Sequence, residues 1–134
     1  LKNTLHFGNL AGTDCYSGKN GVIIGTPHFP TYLYELIACT IDISESSTNS
    51  YKNRRVNYKG DRFRMMSYKN EILQRIQFYL ISSELEQAVG RSRLLRTNST
   101  VFVFSNFPCE QADFCEFDYL KNADVQKQDT DQRL

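Results

Sequence analysis

Two closely spaced arginines could bind phosphate and neutralise its charge. Arg91 and Arg93 follow Gln87 and Gly90, and one residue separates the two arginines. During phosphoryl transfer, negative charge spreads over the γ-phosphoryl oxygens, and an arginine supplied from outside the phosphate-binding loop neutralises it. Arginine suits this role because it is always charged and presents a planar fork. The alternative is structural, since cations at the C-terminus of a helix are a common surface pattern.

A glycine–aspartate turn lies upstream. Gly12, Thr13 and Asp14 precede a short loop, 15–20, and an apolar run that ends at Pro27. Backbone N–H groups that such a turn exposes around Thr13 could bind a nucleic-acid phosphate. An Asp-containing turn before a strand is also commonplace without any function.

A basic β-hairpin is predicted between these two segments, at about 54–66. Val56 and Tyr58 lead into a Lys-Gly-Asp turn, and Phe63 and Met65 lead out of it with period-two alternation. The other face is expected to carry the basic residues Arg54, Lys59, Arg62 and Arg64. This face either contacts nucleic-acid phosphates or is a solvated surface.

The arginine segment and the Gly-x-Asp segment resemble motifs VI and V of superfamily 2 helicases. The spacing Gln-x-x-Gly-Arg-x-Arg, which Gln87 to Arg93 matches, is similar to the Dicer-like branch. Gly12 to Asp14 before an Ile-Ile-Gly-x-Pro stretch is similar to DinG-type helicases. The resemblance covers Leu5 to Pro108 in outline, and only the two motifs closely.

The resemblance implies a second RecA-like motor domain. Arg91 and Arg93 would then act as catalytic arginine fingers, and Gln87, Gly90, Gly12 and Asp14 would contact the nucleotide. ATP and Mg²⁺ would be bound mainly by another domain, and the partner would be DNA or RNA. The chain contains no Gly-x-x-x-x-Gly-Lys-Thr/Ser loop and no Asp-Glu pair, so we expect it not to hydrolyse ATP alone.

Three features limit or qualify the resemblance. The missing phosphate-binding loop and the absence of an initiator methionine before Leu1 lead us to expect a piece of a longer protein, whose N-terminal P-loop domain is a partner. Compared with the general motif VI spacing Gln-x-x-Gly-Arg-x-x-Arg, the last arginine lies one position early, at Arg93. The segment between the two motifs is also unusually long.

The alternative function is a non-catalytic nucleic-acid-binding module that uses the basic hairpin and the arginine-rich helix end.

The elements around these residues predict an α/β fold. Gly21 to Pro27 and Thr100 to Ser105 are short apolar runs typical of buried strands in a parallel sheet. Pro30 is expected to open a helix that reaches about Ile41, and 44–53 is expected to be a loop. The fold class predicted is therefore a RecA-like, mostly parallel sheet flanked by helices, with an inserted hairpin.

Helical spacing continues from Lys69 to Leu95. The sequence Ser83-Glu84-Leu85-Glu86 has the pattern of a capping box, so we expect two helices, the second beginning near Glu84. A short acidic helix is expected after Pro108. Residues 1–120 are assigned to the motor subdomain and 121–134 to a polar tail.

Composition limits the function classes. Of the 134 residues, 40% are hydrophobic and 23% charged, with a net charge of +1, which is not the balance of a strongly basic nucleic-acid-binding domain. No apolar run approaches the roughly 20 residues that span a bilayer, so we expect a cytoplasmic protein without a membrane partner. The four cysteines, Cys15, Cys39, Cys109 and Cys115, lack Cys-x-x-Cys spacing, and no metal site is expected.

Overall fold

The described chain forms an α/β fold with two small sheets and two helices. The structure, a computed structural model, describes residues 6–8, 15–41 and 51–114. The elements in chain order are β1 (Gly21–Ile24), α1 (Thr31–Thr40), β2 (Lys52–Tyr58), β3 (Asp61–Ser67), α2 (Glu71–Gly90) and β4 (Val101–Phe104). Strands β1 and β4 pair in parallel, and β2 and β3 pair antiparallel. The predicted polar tail and most of the predicted loop at 44–53 lie outside the described residues.

The predicted hairpin is confirmed. Strands β2 and β3 pair along their full length, from Lys52 opposite Ser67 to Tyr58 opposite Asp61. Lys59 and Gly60, the two residues between the strands, have φ angles of 50° and 99°. Positive φ at both central positions is what a type I′ turn requires, and this turn matches the natural twist of paired strands.

Helix α2 is continuous, so the predicted break near Glu84 is wrong. Asn70 caps its start, because the side-chain Oδ1 accepts hydrogen bonds from the N–H groups of Ile72 (2.9 Å) and Leu73 (3.1 Å). Ile81 and Leu85 lie four residues apart on either side of the expected break, and both are fully buried. A single buried stripe therefore runs through the helix, and its packing outweighs the local capping pattern.

The main core lies between α2 and the inner face of the hairpin. Its buried members are Val56, Met65, Phe78, Ile81, Leu85 and Phe107. The Phe107 ring lies at its centre, with ring centroids 4.7 Å from Tyr58, 5.5 Å from Phe78 and 5.7 Å from Phe63. These are the separations at which aromatic pairs attract beyond simple burial. The hairpin is thereby fixed against α2 by rigid rings.

A second core holds α1 against the start of α2. Tyr34 and Ala38 of α1 are buried with Tyr68 and Leu73. The Tyr68 ring lies 5.8 Å from the Tyr34 ring and 4.9 Å from the Tyr51 ring. Burial raises the pKa of Tyr68 to about 12 and also raises the pKa of Tyr34 and Tyr51.

One buried amide joins helix and hairpin. Gln77 is fully buried; its Nε2 donates to the Met66 carbonyl oxygen (2.8 Å) and its Oε1 accepts from the Ser67 hydroxyl (2.8 Å). Gln74 adds donations from its Nε2 to Ser67 Oγ and to the Tyr68 carbonyl oxygen, each at 3.2 Å. Buried polar groups that are fully bonded in this way specify one arrangement of the elements.

The parallel pair β1–β4 is covered on one face only. Ile23 and Val103 point toward the body of the protein, whereas Val22, Ile24, Phe102 and Phe104 are 56–76% exposed. The prediction of parallel strands is confirmed, but the prediction that they are buried is wrong, since one face is half-buried and the other is exposed. The expected acidic helix after Pro108 is not present through Phe114, where the chain makes only a turn, and later residues lie outside the described part.

Replacing Gln77 with leucine should destabilise the fold by about 1–3 kcal/mol, because the buried Ser67 hydroxyl would lose its acceptor and the part-buried Met66 carbonyl would lose its donor. Urea unfolding followed by circular dichroism measures this difference. Gln87→Leu is the matched control, since Gln87 is an exposed glutamine of the same helix and should change stability by less than about 0.5 kcal/mol. Equal stability of the two variants would contradict the role assigned to the amide.

Stability should fall as pH rises from about 10 toward 12. The folded state holds Tyr68 neutral up to a pKa of about 12, whereas the unfolded chain releases this proton near 10, so alkaline pH favours unfolding. Urea midpoints at pH 8, 10 and 11 measure the loss. Tyr68→Phe should reduce it, whereas Tyr79→Phe, which changes an exposed ring, should leave it as in the parent chain.

Candidate functional site

The predicted catalytic arginines lie where α2 ends. The N–H groups of Arg91, Ser92 and Arg93 donate to the carbonyl oxygens three residues earlier, at 3.3, 3.2 and 3.0 Å. These are tight turns that follow the last turn of the helix. Arg93 then has a φ of 50°, a left-handed conformation that costs a residue other than glycine roughly 1–2 kcal/mol. The arginine segment is therefore held in a defined and strained conformation.

Ser92, between the two arginines, anchors the segment. Its side chain is buried, and its carbonyl oxygen accepts hydrogen bonds from three donors: Gly18 N–H (3.1 Å), Thr97 Oγ1 (2.9 Å) and Ser99 Oγ (3.2 Å). These donors satisfy a carbonyl that the end of a helix leaves without a partner. The spacing Arg-x-Arg thus places one buried anchor between two basic side chains.

Arg91 and Arg93 have different environments. Arg91 is half-buried, and its Nε is buried without a hydrogen-bond partner among the described residues. A buried donor of this kind costs about 1–3 kcal/mol unless something else accepts from it. Arg93 is exposed and lines a cavity. The Nε of Arg91 is therefore the donor at this helix end that could bind a ligand outside this set of residues.

The cavity beside Arg93 has a volume of about 420 Å³, which lies in the range of ligand pockets. Its lining residues are Val89, Gly90, Arg93, Leu94, Leu95, Arg96 and Gln111. Of the four residues predicted from the motif, Gly90 and Arg93 line it and Gln87 and Arg91 do not. Arg96 belongs to the arginine-rich helix end of the alternative function, whereas Gln111 was not assigned to the site from sequence. Arg96 continues the arginine pattern of the segment, whereas Gln111, far along the chain, carries no sequence signal.

Among the described residues, no contact requires residue 90 to be glycine. It is the last residue of α2 and is exposed; its φ is not positive, and a Cβ built there meets no atom within 4 Å. Glycine in a helix costs roughly 0.5–1 kcal/mol relative to alanine. The open space in front of this backbone faces the cavity, which fits the close approach of a second molecule.

The segment that follows the predicted Gly-x-Asp turn contacts the arginine segment. Besides the bond from Gly18 to Ser92, Asn20 Oδ1 accepts from the Thr100 N–H (2.8 Å), and the Gly21 N–H donates to the Thr100 carbonyl oxygen (2.9 Å). Gly18 has a φ of 73°, and a Cβ there would lie 3.5 Å from Thr97. Gly12, Thr13 and Asp14 themselves lie outside the described residues.

The hairpin carries its basic residues differently from the prediction. Arg54 lies on the inner face, where its Nε donates to the Ser67 carbonyl oxygen at 2.9 Å. Lys59, at the turn, forms an ion pair and hydrogen bond with Glu110, which also accepts from the Tyr58 hydroxyl at 2.9 Å. The hydrogen bond from Lys59 lowers the pKa of Glu110, and the same bond raises the pKa of Lys59. The positive charge expected at the tip is therefore balanced.

The outer face of the hairpin holds a different set. Arg62 and Arg64 lie there as predicted, and Arg55, which the sequence analysis did not select, lies opposite Arg64 in the paired strands. We call this surface the arginine face; it consists of Asn53, Arg55, Asn57, Arg62, Arg64 and Met66. The period-two rule could have found Arg55, because Val56 is buried and its neighbour on the strand must point outward.

The described residues contain no group of three or more His, Cys, Asp or Glu side chains that could hold a metal ion. Cys15, Cys39 and Cys109 are free thiols, and Cys115 lies outside the described part. Neither described helix has the length and hydropathy needed to cross a membrane. No protein-family model, curated protein or solved structure matches the chain.

Gly90→Ala should leave the chain equally stable or stabilise it by up to about 1 kcal/mol, because alanine favours the helix and meets no atom there. Urea unfolding of the two chains measures the difference. Gly18→Ala is the contrasting variant: its positive φ makes the substitution strained, so it should be destabilised. Destabilisation of the Gly90 variant would mean that the glycine serves the fold itself.

Proposed function

We propose that this chain is the second motor lobe of a nucleic-acid-dependent ATPase, of the kind found in superfamily 2 helicases. Its role is to supply Arg91 and Arg93 to ATP that is bound, with Mg²⁺, mainly on a P-loop lobe. The observation that carries the proposal is the joining of the two motif segments. Gly18, four residues after Asp14, donates to the carbonyl of Ser92, which lies between the two arginines.

The sheet supports the same proposal. Strand β1 follows the Gly-x-Asp segment, β4 follows the arginine segment, and the two strands are parallel neighbours from Gly21 opposite Val101 to Ile24 opposite Phe104. Two distant sequence motifs are thus attached to adjacent strands. Parallel strands in α/β proteins have both faces covered, and the further strands and helices of a RecA-like lobe would cover the exposed face of this pair.

The residues at the end of α2 fit a phosphate ligand. The Nε of Arg91 has no acceptor among the described residues, and the anionic oxygens of phosphate are strong acceptors for guanidinium groups. The open space in front of Gly90 admits a ligand or a second backbone close to the helix end. Arg93 and Arg96, on the same cavity wall, would add positive charge there.

These features suggest how the arginines would act. The end of α2 presents Arg91 and Arg93 without a P-loop beside them, so they would reach the γ-phosphate when two lobes close around it. Their charge would stabilise the phosphoryl oxygens as negative charge develops in the transition state. Closure would also move whatever nucleic acid lies across the two lobes, and this motion would couple hydrolysis to translocation.

In the natural protein that contains this chain, Arg91→Ala should lower nucleic-acid-stimulated ATP hydrolysis by about 10²-fold or more, and Arg93→Ala should lower it by a similar or smaller factor. Binding of nucleic acid should remain nearly unchanged, because the lost charge acts on the nucleotide. Phosphate release and fluorescence anisotropy with a labelled oligonucleotide measure the two properties.

Arg75→Ala is the matched control, since Arg75 is an exposed arginine of the same helix and should preserve both properties. Equal losses of nucleic-acid binding and ATP hydrolysis in the Arg91 variant would instead favour the non-catalytic nucleic-acid-binding module. ATP turnover by the 134-residue chain alone, above a mock preparation, would contradict the assignment of the P-loop to another lobe.

A further inference from the structure

We propose that the arginine face of the hairpin binds the phosphate backbone of a nucleic-acid strand. This inference rests on the proposed function for its choice of partner, because a motor of this kind needs a nucleic acid to move along. Its evidence is separate, and it comes from the charge, register and support of the hairpin. The surface also differs from the one expected from sequence, since Arg54 and Lys59 do not belong to it.

Charge is strongly segregated in this chain. Residues 52–67 contain six of the 16 basic residues and one of the 15 acidic residues, so that this segment carries +5 while the rest of the chain carries −4. Arg54 lies on the inner face, Lys59 is paired to Glu110, and Lys52 belongs to the same alternating set as Arg54. The three remaining basic residues of the segment lie on the outer face of the hairpin. The arginine face itself contains three arginines and no acidic residue.

The register places like charges together. Arg55 is directly opposite Arg64, and Arg62 lies two residues along the same strand, opposite Asn57. Like charges directly opposite each other destabilise a sheet. Within the described part of the chain, Arg55, Arg62 and Arg64 form no hydrogen bond or ion pair that would relieve this repulsion. An anion between them would do so.

The hairpin is rigid enough to serve as a binding surface. Its inner side chains Val56 and Met65 are buried against α2, and Gln77 bonds to β3 from behind. The three arginine backbones are therefore fixed before any ligand binds, so that ordering costs fall mainly on the side chains. Along β3, the Cα atoms of Arg62 and Arg64 are separated by about 6.6 Å, so the two side chains could contact different phosphates of one strand.

The composition of the face favours a nucleic-acid backbone over other polyanions. Guanidinium groups match phosphate oxygens in a bidentate geometry, and the amides of Asn53 and Asn57 add neutral donors. Tyr58 and Phe63 are packed in the core, and the six residues of the arginine face include no ring on which a base could stack. Binding should therefore not depend on sequence. Met66 is the one apolar side chain of the face, too little to insert into a lipid surface.

The test uses the chain itself and a fluorescein-labelled oligothymidylate, with anisotropy measured from 50 to 200 mM salt. The face variant is Arg55→Gln, Arg62→Gln and Arg64→Gln together, which keeps a polar side chain at each position and removes the charge. Three phosphate contacts should contribute roughly 2–3 to the slope of log affinity against log salt. In the parent chain these three contacts should therefore lower the affinity approximately 20- to 40-fold between 50 and 200 mM salt. The affinity of the face variant should lack this part of the salt dependence.

The control removes the same charge elsewhere, through Lys19→Gln, Lys69→Gln and Arg75→Gln, three exposed positions outside the face. This variant should bind with a slope close to that of the parent chain. Similar losses in both triple variants, or no loss in the face variant, would overturn the proposal. So would binding of polyglutamate or anionic phosphatidylserine vesicles as tight as that of the oligonucleotide at the same salt concentration.

Stability separates a binding defect from a folding defect. Because Arg55 and Arg64 repel each other, the face variant should unfold at the same or a higher urea concentration than the parent chain. The outcome is also distinct from that of the motor proposal. Loss of binding in the face variant, together with intact ATP hydrolysis in the Arg91→Ala variant of the natural protein, would support the arginine face and reject the motor role. Unchanged binding in the face variant, together with loss of hydrolysis in the Arg91→Ala variant, would reject the arginine face and support the motor role.

Discussion

The burial of one stripe of α2 against the inner face of the hairpin fixes the positions of the candidate functional residues. The stripe includes Phe78, Ile81 and Leu85, and Phe107 closes the core from the far end of the chain. Since α2 is rigid along its length, this contact sets where its last residue lies and where the outer face of the hairpin points. The arginine segment and the arginine face are thus placed by the same core, although they share no hydrogen bond in the described residues.

The second constraint is the junction between β1, β4 and the end of α2. Between α2 and β4, the carbonyl oxygens of Ser92 and Thr100 accept hydrogen bonds from the N–H groups of Gly18 and Gly21, respectively. Within the pair, hydroxyl groups at the carboxyl ends also meet, with Thr26 Oγ1 2.8 Å from Ser105 Oγ. Both ends of a four-residue strand pair are therefore held by polar contacts. A pair this short, exposed on one face, has little hydrophobic support and depends on these links.

The sequence predicted most of the elements because their signals are local. The apolar runs of β1 and β4, the proline before α1 and the Lys-Gly turn each act within a few residues. The capping pattern at Ser83 to Glu86 was also local, but it was overruled by the burial of Ile81 and Leu85, which only tertiary packing decides. Arg54 was assigned to the wrong face of the hairpin, although strand alternation puts it on the same face as Val56, two residues away.

The candidate site could be predicted only in part for a related reason. The motif spacing identified Gly90 and Arg93, whereas Gln111 reaches the same cavity through the turn after β4, which no pattern reveals. What the structure adds is a set of local choices that do not benefit this fold: Gly90 in a helix, Arg93 with a positive φ, and Arg55 opposite Arg64. Proteins tend to break local rules at functional sites. All three lie on the surfaces for which we propose phosphate ligands. A cost in folding stability at these positions is therefore what we expect if they are adapted to bind nucleotide and nucleic acid.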